Sequence, residues 1–252
     1  MLLIWGACAD PAGLPGRLTR LTKRDYKVPN GRNESSSLYF WSMADPPATT
    51  PRRARTAKGE ATRQRIIDAA ANLMRLKGVG NTTLDDVRAA SQTSKSQMYN
   101  HFADKGELTR AVVEHWGEFR LNQQEEDLRR LDSIRGLERW RDAMVQRNAA
   151  VAGAHGCILG SLAIEVADHD DGARRMLRAD FLAWERLLVD GLERMRDKGV
   201  LRADADPEVL ATGIMAALQG GYLLAQTAHD TEPMEIALDM AIDHVKTFAT
   251  PA

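Results

Sequence analysis

From Glu60 onward, apolar positions recur with a helical period. Ile66, Ala70, Leu73 and Lys77 follow one another at spacings of four, three and four residues; Ile67 and Met74 widen the stripe, and Gly78 supplies a stop. Thr83 followed by Asp86 has the form of a capping box with Asp in place of Glu, and Leu84 with Val87 gives a short apolar face ending near Ala90. After Ser91, Gln92 and Thr93, Ser94 is placed to cap a helix carrying Met98 and Phe102 on one face. Asp104 caps another, whose stripe of Leu108, Val112 and Trp116 runs on towards Leu131. Five longer helices are expected at about 133–153, 156–168, 173–198, 207–228 and 233–248. Asp132 or Ser133 starts the first of these, Gly199 ends the third, and Asp206 with Pro207 starts the fourth. Before Glu60 the pattern fails: six prolines and the run Ser35, Ser36, Ser37 predict a disordered arm over residues 1–58. Met43 is an alternative start, because the residues after it read as an ordinary short basic tail.

Composition agrees with an all-α chain. The 252 residues are 44% hydrophobic and only 6% aromatic, a size and content that bury a substantial core. Cys8 and Cys157 offer no disulfide framework and no cysteine-based zinc pattern. No apolar run approaches the roughly 20 residues of a membrane span, and the opening stretch lacks the basic region of a signal peptide. A cytoplasmic protein is the expectation. The net charge of −1 conceals an imbalance: Pro51 to Arg110 holds 12 Lys and Arg against 6 Asp and Glu, whereas Ala111 onward holds 16 against 25. A basic segment beside an acidic one points to a polyanion partner for the first.

Two short helices packed on a longer one form a helix-turn-helix, whose second helix enters the DNA major groove. At about 100° per residue, Met98 and Phe102 centre a buried arc at about 320° from Lys95, so the outward face centres at about 140°, on Asn100. Ser96 and Gln97 flank Asn100; Tyr99 and His101 mark the edges. This uncharged, amide-rich set suits base edges, adenine above all, while Lys95, Tyr99, His101 and Lys105 suit phosphates. The amides after Asp104 offer one further phosphate site. For Tyr99 and His101 a boundary packing role stays open, and for the lysines plain solvation.

The stretch Thr62 to Trp116 resembles the N-terminal DNA-binding domain of TetR-family transcriptional regulators, including the family's core as Ser94-Lys95, Tyr99, His101-Phe102 and Lys105. The resemblance implies operator contacts at Thr83, Ser94, Lys95, Gln97, Tyr99, His101 and Lys105. Two residues depart from the family pattern: Gln92 stands where a turn glycine is usual, and Ser96 where a glycine follows the lysine. The expected architecture is a three-helix DNA-binding domain over 59–108, then a helical ligand-binding and dimerisation domain over 109–252.

Gly156 to Asp168 and Ala217 to Thr227 resemble the C-terminal domain of the LmrA/YxaF-like subgroup of that family. The resemblance implies a small-molecule pocket and a homodimer. Candidate pocket residues are Trp140, Met144, Phe181, Trp184, Met215 and Tyr222, suited to an apolar or aromatic effector, although such a set at helical spacing also makes ordinary core. The candidate interface is Leu210, Ile214, Ala217, Leu218, Gly221 and Leu224 on one helix, with Ile236, Met240, Val245 and Phe248 on the next; packing within the chain is the competing reading. His155, Cys157 and His169 lack metal-ligand spacing, no cofactor is expected, and no catalytic motif is present. Cys157 at a helix start is a conceivable thiol sensor, with inert burial the simpler reading. The whole predicts a ligand-responsive repressor on a palindromic operator, the alternative being a non-specific architectural DNA-binding protein.

Overall fold

A computed structural model describes residues 56–251. The arm expected over 1–58 and the alternative start at Met43 lie outside the described residues, except for the last three positions of the arm, which already belong to the start of the first helix. Thr56 accepts the Gly59 N–H at 3.2 Å and so starts α1, Ala57–Lys77, earlier than the apolar stripe alone indicates. The chain continues through α2 (Leu84–Ser91), α3 (Lys95–His101), α4 (Lys105–Leu128), α5 (Ile134–Ala149), α6 (Ile158–Val166), α7 (Asp171–Asp197), α8 (Pro207–Ala228) and α9 (Glu232–Lys246). Among the described residues the only β pairing is an isolated bridge between Leu201 and Ala249.

Local chemistry fixes most boundaries. Ser133, not Asp132, caps α5 by accepting the Gly136 N–H at 3.2 Å. Asp170 accepts the Ala173 N–H at 2.9 Å, which starts α7 at Asp171, before the expected 173. Asp206 accepts the Glu208 and Val209 amides ahead of Pro207, whose missing N–H costs nothing at a first helical position. α5 stops short of the expected 153, because the chain turns through positive φ at Ala152, Gly153, His155 and Gly156 before α6.

The described residues form one compact unit. Ile66, Val87, Met98, Phe102 and Leu108 bury against one another around α1 to α4, and Leu159, Leu177, Trp184, Leu188, Ile214 and Leu238 fill the interior of the later helices. Each fully buried side chain of this kind contributes about 1.5–3 kcal/mol. α4 belongs to both groups, packing on α1 at one end and on α7 along its length. The expected domain division at 108/109 therefore falls inside a continuous helix. α8 corrects another expectation, being long and apolar enough to cross a membrane. Leu210, Ile214, Leu218, Tyr222 and Ala225 are buried in this fold, the pattern of a core helix. α8 packs closely on α9: a Cβ on Gly221 would lie 2.9 Å from Met234 Cα.

Candidate nucleic-acid interface and ligand cavity

The turn between α2 and α3 is held by short-range polar contacts. Thr83 N–H donates to Asp86 Oδ2 at 3.0 Å and Asp86 N–H returns to Thr83 Oγ1 at 3.1 Å, a complete capping box. The Thr83 backbone N–H is the first cause holding the Asp86 carboxyl below its ordinary range, with Lys77 at 3.3 Å assisting. Gln92 takes the left-handed conformation, φ 53 and ψ 42, that glycine would enter without steric cost. Buried Ser91 and Thr93 share a hydrogen bond of 2.9 Å and close the turn.

α3 presents the polar face expected of it. Met98 and Phe102 are each 1% exposed, whereas Tyr99 is 51% exposed; Ser94, Lys95, Ser96, Gln97 and Asn100 are also exposed and His101 is half-buried. Arg63 lies over the Phe102 ring, 5.3 Å from its centroid, and covers the edge of that core. Gln97 is not a free amide, however: its Oε1 accepts the Ser94 N–H at 2.8 Å while its own backbone N–H donates to Ser94 Oγ at 3.1 Å. That carboxamide keeps its NH2 donors and the second lone pair of its oxygen for a base edge, while the bond from Ser94 restrains the directions in which it can point. Lys105 Nζ donates to Gly80 O at 3.2 Å, which fixes it against the α1–α2 turn and leaves two ammonium donors. The start of α4 is less suited to a phosphate than its amides alone indicate: the Asp104 carboxylate takes the Glu107 N–H at 2.7 Å, and the Glu107 carboxylate takes the Ala103 N–H at 2.8 Å.

Three contacts tie these helices to the rest. Glu165, at the end of α6, accepts the Gly80 N–H at 3.1 Å. Arg110 on α4 pairs with Asp170 at 2.8 Å; the Ala173 N–H, and then Arg110, hold the Asp170 carboxyl below its ordinary range. Asp180 on α7 faces Gly117 on α4, where a Cβ would lie 2.5 Å from Asp180 Oδ2. Burial, with Glu118 adding like charge, pushes the Asp180 carboxyl up to about 6.

Between α6, α7 and α8 lies a cavity of about 360 Å³. Phe181 and Tyr222, two of the candidate pocket residues, lie on its wall; Gly160, Ser161, Ile164 and Gln219 line it too, and nothing in the sequence pattern singles them out. Trp140, Met144, Trp184 and Met215 are not on its wall. Trp140 Nε1 donates to the buried Gln124 Oε1 at 2.9 Å, and Gln124 Nε2 reaches Met144 Sδ at 3.5 Å, an internal polar clasp. Trp184 is buried beneath the Arg120 guanidinium, and Met215 is buried on α8. Cys157 is buried and lines the cavity.

The stripe expected to form an interface divides into two faces. Leu210, Ile214, Leu218 and Gly221 on α8 and Val245 on α9 turn into the chain's own core, Ala217 and Phe248 are half-buried, and only Leu224, Ile236 and Met240 are exposed. Exposed Val209, Ala216 and Leu223 extend that outer face along α8. Sequence alone does not distinguish the inner helix face from the outer one, because α8 is apolar all round.

A helix-turn-helix with an exposed polar second helix, carried on a larger helical body with a cavity open to its surface, defines the class of helical DNA-binding regulators. Comparison with known proteins narrows this. Residues 66–112 match the family described as "Bacterial regulatory proteins, tetR family", and residues 128–241 match "Tetracyclin repressor-like, C-terminal domain". The chain carries both domains of the TetR family of transcriptional regulators and belongs to it. It is similar to the HTH-type transcriptional repressor DhaR of Mycobacterium sp. (strain GP1), 23% identical over 72% of this chain and 90% of the relative. LmrA of Bacillus subtilis (strain 168) is 24% identical, over 69% of this chain and 90% of its own. Among solved structures, a TetR transcriptional regulator from Chloroflexus aurantiacus J-10-FL has a TM-score of 0.67 at 23% identity, covering 78% of this chain and all (100%) of its own. A SmeT–triclosan complex has a TM-score of 0.58 at 25% identity, covering 73% of this chain and 91% of its own.

Proposed function

We propose that the chain is a repressor that binds a palindromic operator as a homodimer and lets it go when a small molecule fills the cavity between α6, α7 and α8. The observation that carries this reading is the span of α6. Its first turns, from Cys157 to Ile164, wall the cavity, and the next residue, Glu165, holds the Gly80 N–H beside the DNA-reading helices. A ligand that displaces α6 thereby changes the seating of the turn on which Lys105 is anchored. Ligand and DNA then favour different states of one protein, and each weakens the other's binding by the same factor. SmeT, solved with triclosan, is a relative of this kind in complex with a small molecule.

Dimerisation is supported by the outer face of α8 and α9. Met240 is 70% exposed, and Ile236, Leu223 and Leu224 are more than half exposed. A Cβ added at the exposed Gly213 or Gly220 would meet nothing within 4 Å, so packing within the chain does not require either glycine. Two copies joined there would present two α3 helices to successive half-sites, the requirement for reading enough base pairs to be specific. The same family and its named relatives are regulators, and catalysis is not part of the reading.

The test is operator binding followed by anisotropy at fixed salt, first against scrambled competitor and then across a panel of small apolar and aromatic compounds. Selective binding released by a subset of compounds is expected, with Glu165→Ala retaining operator binding but losing at least about threefold of the release factor. Unchanged affinity across the whole panel contradicts the effector reading; binding that ignores sequence and only follows salt contradicts the operator reading.

A further inference from the structure

We infer that the cavity selects compounds that pair an apolar body with one terminal hydrogen-bond acceptor, a carbonyl or a carboxylate, seated at the N-terminus of α6. This rests on the reading of the cavity as a ligand site.

The donors are present and idle. Cys157 is the N-cap of α6 without a side-chain cap hydrogen bond, and the Ile158, Leu159 and Gly160 amides have no hydrogen-bond partner among the described residues. A helix start ordinarily has these amides satisfied by a capping side chain or another acceptor. Tyr222, on the cavity wall, is only 5% exposed, and its hydroxyl forms no hydrogen bond among the described residues. Gln219 completes the set: its Oε1 is turned towards Gly160, 2.9 Å from where a Cβ would stand, and its Nε2 is buried without a partner among the described residues. Buried polar groups are almost always paired and the Gln219 Nε2 is buried, so an occupant that pairs it together with the amides and the Tyr222 hydroxyl fits this small cavity.

The three share a sign. Backbone amides and the Gln219 Nε2 donate only, and burial pushes the Tyr222 hydroxyl up to about 12, which keeps its proton on at neutral pH. An acceptor therefore satisfies all three donors, whereas an ammonium finds no partner in the amides or the Gln219 Nε2 and only the hydroxyl oxygen of Tyr222. The helix dipole adds to the preference for a negative or partially negative group, and Arg120 and Arg147 act on the Tyr222 hydroxyl as positive charges. Beyond the acceptor, Phe181, Ile164 and Leu223 offer only apolar surface. Among the described residues no Lys, Arg, Asp or Glu lies on the wall. The body of the ligand is therefore uncharged.

The test measures binding of four matched probes to the full-length protein by isothermal titration: ethylbenzene, acetophenone, benzoate and benzylammonium. They share an aromatic body and differ in the end group. The expected result is that acetophenone or benzoate binds at least about tenfold more tightly than ethylbenzene and benzylammonium. Tyr222→Phe keeps the ring and removes one donor, and should narrow that preference by about five- to tenfold while leaving ethylbenzene unchanged. Gln219→Met should act in the same direction. A higher affinity for benzoate assigns the acceptor as a carboxylate, and a higher affinity for acetophenone as a neutral carbonyl. Ethylbenzene or benzylammonium binding as tightly as both acceptors, binding by none of the four, or a preference untouched in both variants overturns the inference. The titration contains no DNA. Selective binding without any effect on operator affinity would thus count against the proposed regulation and leave the ligand class standing.

Discussion

The DNA-reading helices and the cavity region satisfy their polar groups in opposite ways. Around α2 and α3 the sequence neighbours supply the partners: Thr83 with Asp86, Ser94 with Gln97, and Ser91 with Thr93 close their hydrogen bonds within three residues. Around the cavity the α6 amides, the Tyr222 hydroxyl and the Gln219 Nε2 have no partner among the described residues, and what surrounds them comes from three helices, α6, α7 and α8. The first region is a surface whose polar groups are already paired. The second leaves donors unpaired among the described residues, at a cavity open to the surface. A surface that reads a fixed duplex gains from preorganisation, while a switch needs a site whose occupied and empty states differ in free energy.

The largest effect that separates the two roles lies within α3 and its cap. Phe102→Ala should cost about 3–5 kcal/mol of stability, read from denaturant unfolding, because it empties a fully buried site. Tyr99→Ala, nearby and exposed, should stay within about 0.5 kcal/mol and instead weaken operator binding. Equal stability loss in both would mean that Tyr99 is a packing residue. Next in size is Gly117→Ala, which forces a methyl against Asp180 where α4 meets α7 and should cost about 1–3 kcal/mol; an unchanged denaturation midpoint would show that this junction is loose.

Asp180 gives a pH signature to the same junction. Its folded-state pKa, about 6, is raised above the ordinary 3.8. The folded protein therefore holds the proton more tightly than the unfolded chain, so the group's contribution to stability is greatest below about pH 3.8 and declines as pH rises through about 6. Asp180→Asn should stabilise the protein by on the order of 1 kcal/mol at pH 8, allowing for solvent screening, with the gain shrinking as pH falls towards 4. Thermal midpoints of both proteins across that range provide the check; a gain independent of pH would exclude titration as its source. The smallest effect is at the turn. Gln92→Gly should be neutral to stabilising by about 0.5 kcal/mol, since relief of the left-handed strain offsets the greater freedom of the unfolded chain.

What is legible in the sequence follows the same division. The caps at Thr83, Ser94, Asp104, Ser133, Asp170 and Asp206 lie within three residues of the amides that they satisfy, so spacing alone shows most of them, and the buried pair Met98 and Phe102 follows from one turn of helix. The restraint on the Gln97 carboxamide and the anchoring of Lys105 on Gly80 are not legible in spacing, the second because it joins residues 25 positions apart. Of the aromatic and sulfur-bearing candidates, only Phe181 and Tyr222 lie on the cavity wall. Trp140 and Met144 meet a buried Gln124 instead, a pairing that helical periodicity does not reveal. On α8, where both faces are apolar, periodicity cannot separate the side packed on α9 from the side left exposed.

The most direct measurement of the central claim is binding of the purified protein to the DNA upstream of its own coding sequence, at fixed salt and against scrambled competitor, beside a Tyr99→Ala, Lys105→Ala double variant of verified stability. Selective binding by the wild-type protein is expected, with at least about a hundredfold loss in the variant, the scale of two phosphate or base contacts removed together. Equal affinity of the wild type for operator and scrambled DNA, or undiminished selectivity in the variant, would contradict it.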